Sequence, residues 1–498
     1  PPRSTLFPYT TLFRSALANH QWITTEGVFG IALGVSTSFV FLFVLFGALL
    51  ERAGAGHYFI QLAFSLLGHL RGGPAKAAVV SSALTGVISG SSIANVVTTG
   101  TFTIPMMKKV GFSKEKAGAV EVASSVNGQI MPPVMGAAAF LMVEYVGMPY
   151  VEIIKHAFLP AAISYIALFY IVHLEALKLG MQPIGSRQPK PWLRRLTGFA
   201  FGVALISGLS LAVYYGLGWL KPALGAYALP GVSVLLAAAY LGLLKIAASN
   251  PPLPAEDPDK PLEVLPETRA VLLSGLHFLL PVVVLVWCLM IERLSPGLSA
   301  FWGSVMLMVI LLTQRPLLGW LRGDGGKTHG SFMDGCVDLR EGLIAGARNM
   351  IGIGIATAAA GIIVGAVSQT GVGLVLADLV ELLSMGNLLL MLLLTGVFSL
   401  ILGMGLPTTA NYIVVSSLLA PVIVTLGQQN GLIVPLIAVH LFVFYFGIMA
   451  DVTPPVGLAS FAAAAVSKGD PIKTGLVAFF YSLRTAALPF LFIFNTDL

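Results

Sequence analysis

Gly86-Val-Ile-Ser-Gly-Ser-Ser-Ile-Ala-Asn-Val-Val97 lies inside a long apolar region, yet it holds three serines, an asparagine and two glycines. A second interruption comes at Asn127-Gly-Gln-Ile-Met-Pro-Pro133. The same two signals return far downstream. Gly403-Met-Gly-Leu-Pro-Thr-Thr-Ala-Asn-Tyr412 corresponds to the first and Ala450-Asp-Val-Thr-Pro-Pro455 to the second. Polar and helix-breaking residues set into apolar runs predict sites where ligands meet unwound backbone in a membrane.

The surrounding composition sets the environment. The chain has 498 residues, is 56% hydrophobic and 10% charged, and has a mean hydropathy of +0.89. A soluble domain carries about 25% charged residues. So few charges cannot cover a soluble surface, and the chain reads as a polytopic inner-membrane protein. Its net charge of +6 comes from basic residues in short loops, which orient spans rather than bind nucleic acid. Cys288 and Cys336 make neither a disulfide framework nor a metal site. Gly352-Ile-Gly354 comes after no strand and precedes no Lys-Ser/Thr pair, so it is no nucleotide loop. With no ATPase motif, no cofactor is expected.

Working outward, residues 27–50 read as a span and 57–70 as an interfacial helix. Residues 75–107 are long for one span and short for two, which predicts a re-entrant hairpin. Lys108, Lys109, Lys114 and Lys116 place its open end in the cytoplasm. Residues 117–146 read as a span broken at Asn127–Pro133, since proline removes an N–H donor and restrains its predecessor. A span at 153–174 comes next. Four plain spans are expected at 196–217, 223–246, 271–291 and 298–312, with a solvated linker at 251–266 and a cytoplasmic loop at 315–348. A span at 349–367, an interfacial helix at 374–384, a second hairpin at 388–426, a second broken span at 432–466 and a last span at 472–494 complete the chain. Residues 1–15 share no period with the rest of the chain. They read as a non-native leader, and the chain as a fragment at both ends.

The landmarks repeat in order. Gly54-Ala-Gly56 pairs with Gly371-Val-Gly373, Thr85-Gly-Val87 with Thr395-Gly-Val397, and Pro133-Val-Met-Gly136 with Pro455-Val-Gly457. Loop charges put the two copies in opposite orientations. The expected fold is therefore an all-α polytopic membrane protein with inverted repeats, two re-entrant helical hairpins and two broken helices. Its divisions are a first repeat at 22–176 with hairpin 72–107, central scaffold helices at 177–347, and a second repeat at 348–498 with hairpin 388–427.

A Na⁺ ion takes oxygen ligands, and unwound carbonyls with Ser, Thr or Asn oxygens supply them, while half-helix N-termini attract anions. Ser89, Ser91, Ser92 and Asn95 fit one cluster, and Thr408, Thr409 and Asn411 the other. Asn127, Gln129, Asp451 and Thr453 face them. Superposing the two Pro pairs aligns Gln129 with Asp451. A charge at membrane depth, such as Asp451, marks a functional site. Against this stands packing alone, because small residues let membrane helices approach closely. That explains any one serine, but four matched breaks less well. Glu121 and Glu144 read either as proton-linked residues or, the reading preferred, as solvated near loops, and His440 as packed or hydrogen-bonded.

Five strings together resemble the large membrane subunit of the tripartite ATP-independent periplasmic (TRAP) transporters, with the closest likeness to fused permeases that serve TAXI-type binding proteins. They are Gly72-Gly-Pro-Ala-Lys-Ala-Ala78, Ile88–Asn95, Gly128–Gly136, Leu402–Asn411 and Asp451–Gly457. The resemblance implies an elevator fold like that of other ion-coupled transporters. It also implies Na⁺-driven uptake of a small organic acid delivered by a periplasmic TAXI-type binding protein. One sodium site would involve Ser91, Ser92 and Asn95 with the break from Asn127. The other would involve Gly403, Thr408 and Asn411 with the break that holds Thr453. Cargo would lie between them, near Ser92, Gln129, Thr409 and Asp451. The resemblance further implies a small membrane subunit, or its fused equivalent, as a partner missing from this chain. Two alternatives stay open: a binding-protein-independent divalent-anion symporter driven by Na⁺ or H⁺, and a channel or membrane scaffold.

Overall fold

The computed structural model describes residues 6–24, 26–182, 222–252, 267–323, 328–404 and 406–495, with scattered positions between 197 and 219. Among them, seven helices are long and apolar enough to cross a membrane: Ile31–Ala53, Tyr150–Lys178, Pro230–Ala248, Pro296–Arg322, Phe332–Thr370, Thr408–Gln429 and Pro471–Phe494. The chain is thus an all-α polytopic membrane protein. The 196–217 span and most of the 251–266 linker lie outside the described residues.

Helix Gly73–Ser89 turns at Gly90 and Ser91 into helix Ser92–Lys109. Gly90 sits at φ 57°, and a Cβ there would stand 2.4 Å from the Met135 carbonyl oxygen. Only glycine meets both demands without strain. Ser91 caps the second leg, its hydroxyl accepting from the Ala94 N–H at 3.4 Å. Asn95 ties the legs together. Its Nδ2 donates to the Ser82 carbonyl at 3.1 Å, and its Oδ1 accepts from Thr85 at 2.6 Å.

The second hairpin runs from Leu388–Gly403 through a longer turn into Thr408–Gln429. Asn411 repeats the tie, donating from Nδ2 to the Ser399 carbonyl at 3.0 Å. This corrects one expected pairing. Ser82 and Ser399 are equivalent, whereas Thr85 and Thr395 are not, since Thr395 lies about two helical turns too early. Leu402 stands where Thr85 does and carries no hydroxyl. The Asn411 Oδ1 is consequently buried without a partner.

Two helix pairs are interrupted at the expected positions. Lys114–Gly128 stops, passes residues 129–136, and resumes as Ala137–Val146; Leu436–Ala450 stops and resumes as Leu458–Ser467. Each break holds a cis Pro–Pro peptide, Pro132–Pro133 and Pro454–Pro455. Each hairpin is pressed onto its break by a glycine. A Cβ on Gly86 would meet the Gly128 Cα at 2.5 Å, and one on Gly403 would meet the Ala450 Cβ at 2.4 Å.

Elsewhere the structure departs from expectation. The 315–348 segment is not a loop but mostly helix, split between Pro296–Arg322 and the 43-residue Thr328–Thr370. Ion pairs hold these extensions together: Arg315 meets Asp334 and Asp338, and Arg52 meets Asp338 at 3.3 Å and also Glu341. Hydrophobic pattern alone ends the helices where apolar residues stop, although good helix formers continue past that point. The 271–291 span is bent by 54° between Thr268–Ser274 and Leu276–Ile291. The Tyr58 ring fills the space beside Gly275, and its hydroxyl donates to the freed Leu272 carbonyl at 3.1 Å. Residues 6–23 form one helix, and Gln21 Nε2 donates to the Ile362 carbonyl at 3.1 Å.

Gly86→Val drives a branched side chain into the backbone of Gly128. Overpacking of this kind costs roughly 1–3 kcal/mol or more. The expected outcome is a lower midpoint in thermal unfolding of the purified protein, with Gly147→Val, where a Cβ would meet nothing within 4 Å, as a comparison for backbone strain alone.

Candidate functional site

The four breaks converge on one carboxylate. Asp451 is 4% exposed and begins the second break, directly after helix Leu436–Ala450. Its Oδ2 accepts from Ser92 Oγ at 2.6 Å, Gln129 Nε2 at 3.0 Å and Thr408 Oγ1 at 2.9 Å. Ser92 opens the second leg of the first hairpin, Thr408 opens that of the second, and Gln129 begins the first break. The aligned pair Gln129 and Asp451 therefore touch each other. All three donors are neutral, and no cation bonds to Asp451 among the described residues. The cluster is centred on one carboxyl group, where helix N-termini and the two breaks meet.

Three of the four expected cargo residues thus come together: Ser92, Gln129 and Asp451. Thr409 is half-buried and is not a partner of Asp451. Its neighbour Thr408 takes that position, because adjacent helical residues point about 100° apart.

The expected sodium ligands fall into distinct settings. Ser91 caps its own helix and is exposed. Asn95 is fully engaged in tying the hairpin. Asn127 accepts from Thr485 at 3.4 Å, and its Nδ2 is buried without a partner. Asn411 has a buried Oδ1 without a partner, while its Nδ2 side lies next to Gly403. Thr453 donates back to the Met449 carbonyl at 2.7 Å, leaving its lone pairs available. No group of three or more His, Cys, Asp or Glu side chains forms a metal site among the described residues.

Two buried charges escape a reading of the sequence. Glu121 is not solvated near a loop but 0% exposed, inside the packed helix Lys114–Gly128. The signal is its four-residue spacing from Ser125, opposite Ser82, Thr99 and Thr103 on the hairpin legs. Arg484 lies midway along the last span. It donates from Nε to the Ser164 carbonyl at 2.9 Å, and its two terminal nitrogens are buried without partners. Glu144 is exposed, as expected. His440 is buried and bonded through Nδ1 to the Tyr412 hydroxyl at 2.7 Å, also as expected.

The chain is 36% identical over 91 residues to the C4-dicarboxylate TRAP transporter large permease protein DctM of Rhodobacter capsulatus, covering 18% of this chain and 21% of that one. It is 26% identical over 176 residues to the protein of the same name in Pseudomonas aeruginosa, covering 35% and 40%. It is 32% identical over 95 residues to the ectoine TRAP transporter large permease protein TeaC of Halomonas elongata, covering 19% and 22%. The matched segments span about a fifth to two fifths of these curated relatives. The family model for the DctM component of the tripartite ATP-independent periplasmic transporters matches residues 4–498, and this multi-pass inner-membrane chain belongs to that transport family and is not an enzyme.

Proposed function

We propose that the chain is the ion-coupled permease of a secondary transport system that takes up a small organic anion, with Na⁺ as the coupling ion and a periplasmic binding protein delivering the cargo. The observation that carries this reading is the single carboxylate bonded to both hairpin turns and to the opposite break.

The physical argument is one of charge. An anionic cargo placed beside Asp451 meets repulsion unless a cation lies between them. Each ligand therefore strengthens binding of the other, which is what symport requires. The open Asn411 oxygen and the lone pairs of Thr453 supply cation ligands on the second side. Thr409 and the second Nε2 hydrogen of Gln129 supply neutral donors for the cargo, while Ser92, whose one hydrogen goes to Asp451, lines the site.

Packing supports an inverted arrangement. Lys108, at the open end of the first hairpin, donates to the Ser467 carbonyl at 3.2 Å, at the end of the second broken helix. That helix begins just after the open end of the second hairpin, where Asn430 donates to the Gly386 carbonyl at 2.9 Å. Both turns meet at the midpoint, at Asp451. The hairpins thus approach from opposite ends, as alternating access built on inverted repeats requires. Delivery by a TAXI-type binding protein, and a requirement for a small membrane subunit, rest on family membership together with the sequence likeness.

In uptake assays with the small subunit and binding protein supplied, Asp451→Ala should lower the rate at least about tenfold, since a hydrogen bond to a charged group is worth roughly 1.5–3 kcal/mol. Membrane insertion should be unchanged, and uptake at the normal rate would remove Asp451 from the mechanism. Asn411→Ala should raise the Na⁺ concentration for half-maximal uptake while sparing expression; an unchanged Na⁺ dependence would exclude its oxygen as a ligand. Omitting the binding protein should abolish uptake, whereas full uptake without it would favour a self-sufficient symporter.

A further inference from the structure

A second buried carboxylate lies away from Asp451. Glu121 accepts from Ser82 Oγ at 3.0 Å and Ser125 Oγ at 3.2 Å, and in closer contacts from Thr99 and Thr103. Ser82 is on one leg of the first hairpin, Thr99 and Thr103 are on the other, and Ser125 is one turn along from Glu121 itself. No basic side chain bonds to this carboxyl among the described residues. The other elements packed on helix Lys114–Gly128 bring few titratable groups to this depth. Tyr165 comes from the span Tyr150–Lys178, its hydroxyl donating to the Ser124 carbonyl at 3.3 Å, and it lies within the field of Glu121. Arg484 comes from the last span, where its Nε donates to the Ser164 carbonyl at 2.9 Å, next to Tyr165 in sequence. Helix Leu436–Ala450 carries His440, bonded to Tyr412, and Tyr445. Helix Leu458–Ser467 has no titratable residue. The hairpin legs offer only hydroxyls here.

Hydrogens in this cluster have two places to go. Thr99 also reaches the Asn95 carbonyl at 2.8 Å, and Thr103 reaches the Thr99 carbonyl at 3.0 Å. Each hydroxyl has one hydrogen and two acceptors. We propose that Glu121 is a proton-binding site, distinct from the Asp451 cluster, that accepts and releases a proton without movement of heavy atoms.

In the ionised state, Thr99 and Thr103 turn their hydrogens to the carboxylate. When a proton arrives, it sits on Oε2 and is donated to Thr103 Oγ1. Thr103 then donates to the Thr99 carbonyl, and Thr99 to the Asn95 carbonyl. Ser82 and Ser125 keep donating to Oε1 throughout. Every polar group is satisfied in both states, as a buried site that changes charge requires. The hydroxyls reach the carboxyl oxygens directly, without the gap a Na⁺ ion needs between its ligands. The site adjoins the tie that closes the first hairpin, since the Ser82 main-chain carbonyl receives the Asn95 amide and Thr99 reaches the Asn95 main-chain carbonyl. A place for this proton in a transport cycle rests on the proposed symport function; its binding does not.

Infrared spectroscopy of the purified protein in lipid nanodiscs, titrated from acid to alkaline pH, tests the site without any transport assay. The expected result is a carbonyl stretch of a protonated buried carboxyl that fades as pH rises and is lost completely in Glu121→Gln. A band from Asp451 would persist in that variant. Thr103→Val keeps the carboxyl but removes one hydroxyl, so it should shift the band, and this arm stands alone if Glu121→Gln does not fold. Absence of a Glu121-dependent band at every pH would overturn the proposal, as would such a band that ignores pH. Removal of the band by Na⁺ at fixed pH, with Na⁺ binding lost in Glu121→Gln, would also overturn it in favour of a metal site.

Discussion

One carboxylate oxygen holds three parts of the chain that are far apart in sequence. The Oδ2 of Asp451 receives bonds from Ser92, Gln129 and Thr408. Inside a bilayer, a helix end freed of its own hydrogen bonds must find partners in protein or in a water-lined cavity. Four helix interruptions placed separately would each be costly. Brought together, they satisfy one another, and Asp451 is the acceptor they share. The need to cover unwound backbone is met by these contacts.

Much of this is legible in the sequence because it depends on residue types that have few other uses at membrane depth. The Pro–Pro pairs fix the register that sets Gln129 against Asp451. The Ala-Asn pairs mark the hairpin ties, although the second tie runs to Ser399 and not near Thr395. What stays hidden depends on partners remote in sequence. Glu121 lies close to a lysine-rich loop, so its burial emerges only from four hydroxyls, three of them on other elements. Choosing Thr408 over Thr409 depends on where a helix begins after Pro407, a matter of one residue. The long helix Thr328–Thr370 reads as shorter because its exposed end is charged, and its pairing with Arg52 and Arg315 cannot be read locally.

The two hairpins are alike in plan and unlike in chemistry. In the first, the asparagine oxygen is occupied by Thr85, and the polar supply has moved toward Glu121. In the second, Leu402 replaces that threonine and the asparagine oxygen is left open. A single substitution between matched positions thus separates a closed tie from an open ligand. Similar backbones carry different tasks because side chains, and not the path of the chain, decide which oxygens are spare.

The seams beneath the hairpins limit how this centre can be reshaped. On the first side, bare backbone at Gly86 rests on bare backbone at Gly128; on the second, Gly403 rests on the methyl group of Ala450. Neither seam has slack to surrender to a bulkier guest. The first turn is only Gly90 and Ser91, pinned against Met135, while the second extends from Met404 to Pro407. In the proposed cargo site, room for a larger molecule has to be found on the side with the longer turn, at the second hairpin.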